Sequence, residues 1–182
     1  MNDARNTSGQ AYGLTVLTPI REGRESSLAR YLDALETGPA SPLAHVPGTH
    51  FARWVLIGDV VYEGPGQQRD HLQLGRLLFT SNFDGPVEPY LDALRIGLGD
   101  VADRIWNHCA GYPGSADGAA FAAYMRAHQI ESSLFFSAYG DRTVQDVQGS
   151  LADRRNVIGF ALRAQGMPAA ELQTAFLETF GG

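Results

Sequence analysis

Arg53, Asn82 and Asp84 are the residues of this chain whose type and setting most invite chemistry. Each stands inside, or at the end of, an apolar strand-like run. A guanidinium on such a strand needs a carboxylate, carbonyl groups or an anionic ligand to meet its charge. Two roles follow. Asp84 is Arg53's structural partner, or Arg53 is an anion clamp in a pocket with Asn82 beside it. His50 begins the strand that carries Arg53. His50 and Asp84 are the candidate acid–base groups, and in a catalytic site Arg53 would stabilise developing negative charge. Trp54, Phe79, Phe136 and Tyr139 are the candidate apolar walls. His108 joins the ligand-binding candidates. It stands in Trp106-Asn-His-Cys-Ala-Gly-Tyr-Pro113, which also reads as a helix end followed by a glycine turn.

Other chemistries find less support. His45, His50, His71, His108 and His128 show no i, i+4 pairing, and Cys109 is the single cysteine, so no structural zinc site is expected. His108 and Cys109 are adjacent and so do not face one another on a helix; an inert, buried thiol is expected. The loops Gly64-Pro-Gly66 and Gly111-Tyr-Pro-Gly114 match no phosphate-binding motif, and Ser132-Ser133 lies in no nucleophile elbow. The net charge of −6 comes without a basic stripe, which argues against nucleic acid as a partner. No apolar run reaches transmembrane length, and the first residues lack an apolar signal core. A cytoplasmic protein without a membrane partner is expected.

The elements that must position these groups follow from periodicity. Tyr12 to Ile20 reads as a strand. Arg24 to Glu36 reads as a helix, with Leu28, Tyr31, Leu32 and Leu35 on one stripe. Thr49 to Ile57 and Leu74 to Phe83 read as the arms of a long hairpin. Val87, Tyr90, Leu91 and Leu94 mark the next helix, interrupted by Gly97 and Gly99. Asp100 is placed to cap a further helix, and Asp117 another that carries Phe121, Tyr124, Met125 and His128. Ser132 to Tyr139 reads as a fourth strand. Thr143 caps a helix with Val144, Val147 and Leu151, Asn156 to Leu162 is ambiguous, and Pro168 opens a last helix. This order is ferredoxin-like: an α+β fold with an antiparallel sheet and helices on one face. The chain of 182 residues divides into a disordered N-terminus (1–11), an α+β domain (12–140) and a C-terminal helical extension (141–182) packed on it.

The strands are apolar on both sides. His50, Ala52, Trp54 and Leu56 alternate with Phe51, Arg53, Val55 and Ile57, and both sets are largely apolar. A sheet with one wet face should alternate cleanly. Two covers are therefore expected: the helices on one face, and a second subunit, the C-terminal helices or a ligand on the other. Two sheets meeting face to face would make a homodimer of the dimeric α+β barrel kind.

Thr49-His-Phe-Ala-Arg-Trp54, Leu78 to Gly85 and His108 to Pro113 carry a resemblance. Over about residues 12–140 the chain resembles poorly characterised bacterial ferredoxin-like proteins associated with dye-decolourising-type peroxidases. The resemblance implies a ferredoxin-like domain. In those peroxidases a Gly-x-x-Asp-Gly motif supplies a distal aspartate, with a proximal histidine and a distal arginine later in the chain. Phe83-Asp-Gly85 is similar to the end of that motif, with Ser81 in place of its glycine. By this resemblance Asp84 would shuttle protons, His128 would bind haem iron and Arg142 would be the distal cation. Three readings stand: a small-molecule-binding protein needing no cofactor, with a polar or anionic ligand near Arg53 and Asp84; a haem-dependent peroxidase-like oxidoreductase; and a non-catalytic oligomeric interaction module.

Overall fold

The computed structural model describes residues 3–61, 64–66 and 71–181. They fall into two compact units that meet between Asp141 and Arg142. The first unit has strands β1 (Thr7–Ser8), β2 (Ala11–Pro19), β3 (Thr49–Ile57) and β4 (Arg76–Asp84), with helices α1 (Glu25–Asp33), α2 (Val87–Leu98), α3 (Asp100–Trp106) and α4 (Gly118–Ala127). The second holds α5 (Val144–Arg163) and α6 (Ala169–Phe180). The sheet is antiparallel with strand order β1-β2-β4-β3. The fold is α+β, and its open sheet with helices is compatible with the ferredoxin-like pattern.

β4 lies between β2 and β3, so both its edges are hydrogen-bonded. Its side chains alternate strictly: Leu77, Phe79, Ser81 and Phe83 are buried, while Arg76, Leu78, Thr80, Asn82 and Asp84 are partly exposed. The buried set joins Tyr12, Leu14 and Val16 of β2 in one core with Leu28 of α1, Leu91 and Leu94 of α2, Ile105 and Trp106 of α3 and Phe121 and Met125 of α4. All four helices of this unit therefore cover the same face. At the centre of that core Phe79 packs on Trp54 at 5.4 Å and meets Trp106 edge-on at 5.5 Å and 85°. Phe121 also meets Trp106 edge-on, at 6.1 Å. Neither buried indole N–H, of Trp54 or of Trp106, has an acceptor among the described residues. Each such group costs about 1–3 kcal/mol, which the packing of the rings must outweigh.

Several expected caps are present. Asp117 accepts hydrogen bonds from the Ala119 and Ala120 amides, and Thr143 with Asp146 forms a capping box on α5. Asn156 to Leu162 continues α5, and Pro168 is the residue just before α6. Two expectations are corrected. Asp100 is the first residue of α3 rather than its cap, a place taken by Gly99 with φ 52°. Gly97 does not interrupt α2 but lies within it. A Cβ there would come within 2.8 Å of the His45 carbonyl oxygen, so glycine lets the Pro42–His45 turn press against the helix.

The expected fourth strand, Ser132 to Tyr139, is not a strand. The outer edge of β2 is already taken. Thr7 and Ser8 pair with Tyr12 and Ala11; Leu17 donates to the His128 carbonyl at 3.0 Å, and Ile130 donates to Thr15 at 2.8 Å. The stub at 128–130 thus stands where a ferredoxin-like fourth strand would. With β2's edge satisfied, the chain after Ile130 is free to leave the sheet plane.

The N-terminus is also corrected. Met1 and Asn2 lie outside the described residues, but Asp3–Asn6 forms a 3-10 turn and Asn6 is fully buried. Tyr12 is the anchor: its hydroxyl donates to Asp3 at 2.7 Å and accepts from Gln129 at 2.8 Å. Arg126 grips both oxygens of Asp3, at 2.8 and 3.1 Å. A polar, unpatterned segment gave no sign of this, because Arg126 and Ser132, which hold Asp3 and Asn6, lie more than a hundred residues away.

Two outcomes follow. Phe79→Ala should lower stability by about 3–5 kcal/mol, read as a lower urea midpoint; a change under about 1 kcal/mol would mean the aromatic centre is not the core. Hydrogen bonds from Arg126 hold the Asp3 carboxyl below its ordinary 3.8. Its contribution is therefore complete above that value and lost as pH falls through the lower folded value. Amide exchange at Thr7 and Ser8 should speed up below about pH 4 beyond the intrinsic trend, and Asp3→Asn should lack the step.

Candidate functional site

On the second sheet face the side chains of β3 are exposed. Phe51 is 76% exposed and Val55 39% exposed, and Arg53 between them is exposed too. β3 pairs with β4 only along its inner edge, and its residues 51, 53, 55 and 57 alternate onto this face with Thr80 and Asn82 of β4 and Gly13 and Thr15 of β2. Within this chain the Ala52, Trp54 and Leu56 side of β3 packs against the helices, while Phe51, Arg53 and Val55 on the other side are exposed.

A hollow of about 520 Å³ lies on this face. Thr15, Thr80, Asn82 and Arg53 form its floor, and Phe51, Phe135 and Ser132 its sides. The segment that was expected to be a strand supplies the last two. Phe135 lies directly over Gly13: a Cβ there would fall 2.8 Å from its ring carbons. Glycine at this point of β2 is what lets an aromatic ring approach the sheet and close one side of the hollow.

Arg53 is the cation of the site. Its Nε donates to the Thr80 hydroxyl at 3.1 Å, which fixes the side chain across the neighbouring strand. Among the described residues it has no ion pair with any carboxylate. The expected Arg53–Asp84 pair is therefore corrected. Asp84 is held by His50, whose Nε2 lies 2.7 Å from Asp84 Oδ1. The cause is a β-bulge between Thr49 and Phe51. It turns Thr49 toward the core, where its hydroxyl meets Tyr90 at 3.1 Å, and sends His50 to the side of Asn82 and Asp84. Simple alternation had put His50 with Trp54.

The other candidates scatter. Trp54 and Phe79 belong to the helix-side core and line no part of the hollow. Phe136 and Tyr139 are 78% and 75% exposed and do not line it either. His108 lies on the helix side, in a groove between α1 and α3 with Tyr31, Asp103 and Arg104, its Nδ1 3.2 Å from the Ile105 carbonyl oxygen. Of the candidates, Arg53 and Asn82 meet at the hollow; His50 and Asp84 form a pair outside its lining. Gly13, Thr15, Phe51, Thr80, Ser132 and Phe135 were missed. Thr80 and Phe51 could have been found by taking the residues that flank Arg53 on its own face.

Cys109 is fully buried and its thiol lies 3.2 Å from the Thr18 hydroxyl; burial pushes its pKa up, so it is not a poised nucleophile. A second histidine–carboxylate pair closes the β3–β4 connection. His71 Nδ1 lies 2.6 Å from Asp59, whose pKa is lowered to about 2 mainly by that hydrogen bond. Among the described residues no three His, Cys, Asp or Glu side chains form a group that could hold a metal ion. The haem expectation rested on His128 and Asp84. His128 caps α4, with Nδ1 2.9 Å from the Tyr124 carbonyl oxygen and its ring tilted on Tyr124. Neither His128 nor Asp84 lines the sheet-face hollow, the α1–α3 groove or the cavity beside Asp3 and Gly85. Among the described residues no helix is long and apolar enough to cross a membrane.

Gly13→Ala should keep the fold while driving the Phe135 ring off the sheet, read as loss of the nuclear Overhauser contacts between residue 13 and that ring; their persistence would contradict this construction of the hollow. Comparison with protein-family models, with curated proteins and with solved structures finds no match to this chain, so the reading of the site rests on its own geometry.

Proposed function

We propose that this protein binds a small anionic molecule with an apolar body, and that Arg53 is the clamp for its charge. One observation carries the reading: an arginine steadied by Thr80 over a hollow, with no carboxylate of its own among the described residues. A guanidinium so held keeps its two terminal amino groups for a carboxylate or phosphate, which it can grip with two parallel hydrogen bonds. Asn82, Thr15 and Ser132 add neutral donors and acceptors, and Phe51 and Phe135 offer apolar surface to the rest of the ligand. The volume lies within the range of small-molecule sites. The reading is one of binding rather than turnover, because the acid–base pair His50–Asp84 does not line the hollow. The free thiol of Cys109 is in keeping with a cytoplasmic location.

A second reading has its own observation. Phe51 and Val55 are exposed on this face, and Leu134 and Phe136, on either side of Phe135 in sequence, are exposed as well. Such surface suits an interface between two copies of the chain, sheet to sheet, as in a dimeric α+β barrel.

The test is a titration with a panel of free aryl and alkyl carboxylates and phosphate monoesters, followed by the shifts of Arg53 Nε–H and the Asn82 side-chain amide. Binding should be lost about tenfold or more in Arg53→Ala and weakened less in Thr80→Val, with thermal stability unchanged in the first. Equal binding by Arg53→Ala would overturn the assignment. A sedimentation mass of two chains with Phe51 shielded would favour the interface reading instead.

A further inference from the structure

The two edges of the sheet are finished differently. β2's outer edge is closed along its length: Thr7 and Ser8 pair with its start, His128 and Ile130 with its middle, and Ala110 donates to the Pro19 carbonyl at 2.8 Å near its end. β3, the other edge, is paired with β4 on its inner side. Among the described residues none of the outward backbone groups from Phe51 to Ile57 has a hydrogen-bond partner. An unpaired edge of this length is a template for one more strand.

The side chains say what kind of strand. On the second sheet face the edge reads Phe51, Arg53, Val55, and all three are exposed. Pairing with a second copy is disfavoured. Arg53 is the middle residue of β3, so an antiparallel two-fold pairing about the middle sets one Arg53 directly opposite the other, and like charges in that relation destabilise. The bulge between Thr49 and Phe51 bends the strand's start away from a straight partner. A complementary strand instead carries a carboxylate opposite Arg53 and apolar residues opposite Phe51 and Val55.

We propose that the outer edge of β3 accepts an extended segment of another protein, whose alternate residues are apolar, acidic and apolar. This goes beyond the small-anion reading, because it rests on the strand's backbone edge rather than on the hollow. Backbone pairing supplies the affinity, and the acidic residue sets the register against Arg53.

The test uses the full chain and the synthetic strand Ac-Thr-Val-Thr-Glu-Thr-Val-Thr-amide, with calorimetry for affinity and amide exchange for location. The probe should bind and slow exchange at alternate amides between Phe51 and Ile57. A version N-methylated at alternate amides, which keeps every side chain, should not bind. Replacing the probe's glutamate with lysine should weaken binding roughly tenfold, and Arg53→Glu protein should restore it. No binding by the probe would overturn the proposal, as would equal binding by the N-methylated strand. So would a peptide-free chain that sediments as a pair with these amides already protected, which would give the edge to a second copy. The small-anion reading fails separately, in the titration with free carboxylates and phosphates.

Discussion

The packing of Phe79 between Trp54 and Trp106 is the contact on which the rest of this structure depends. It joins the central strand to its edge neighbour β3 and to α3 at one point, and it fixes which side of the sheet the helices cover. Strand geometry then leaves no freedom. Once Phe79 points into the helices, Thr80 and Asn82 must point the other way, and so must Arg53 opposite Thr80. The exposed side of β3 and its cation are a consequence of the core rather than a separate design.

That consequence is polar where it needs to be. Thr80 gives Arg53 a fixed position without neutralising it. Asp84, at the end of the neighbouring strand, is paired with His50 through the bulge. Among the described residues no carboxylate pairs with Arg53, and the proposed small anion or acidic strand residue would supply one. The chain that follows the stub at 128–130 adds Phe135, seated over Gly13, as an apolar side to an otherwise polar floor.

Much of the fold could be read from period and punctuation. The stripe Val87, Tyr90, Leu91, Leu94 became the buried face of α2, and Asp117 and Thr143 cap the helices they were expected to cap. The hairpin of β3 and β4 was legible for the same reason. What failed was set by pairings at the sheet's β2 edge and by one bulge. Ser132 to Tyr139 has strand composition, but the edge it would have joined was filled by residues 7–8 and 128–130. The N-terminus looked frayed because its anchors, Tyr12, Arg126 and Gln129, are not visible in local pattern. At the site, Arg53 and Asn82 stood out as polar intruders on apolar strands. His50 was misplaced because a one-residue bulge reverses alternation without leaving a mark in composition. Trp54 and Phe79 were assigned to the pocket because both sides of these strands are apolar, and sequence does not say which side the helices take.

The claim that the helix side of this sheet is packed and the β3 side chains on the other side are exposed is open to direct measurement by hydroxyl-radical footprinting of the freshly purified chain. The account predicts rapid labelling of Phe51 and slow labelling of Phe79, Phe83 and Trp106. Protection of Phe51 to the level of Phe79 would contradict it. The face would then be covered in solution, and neither a ligand hollow at Arg53 nor a free edge on β3 would stand.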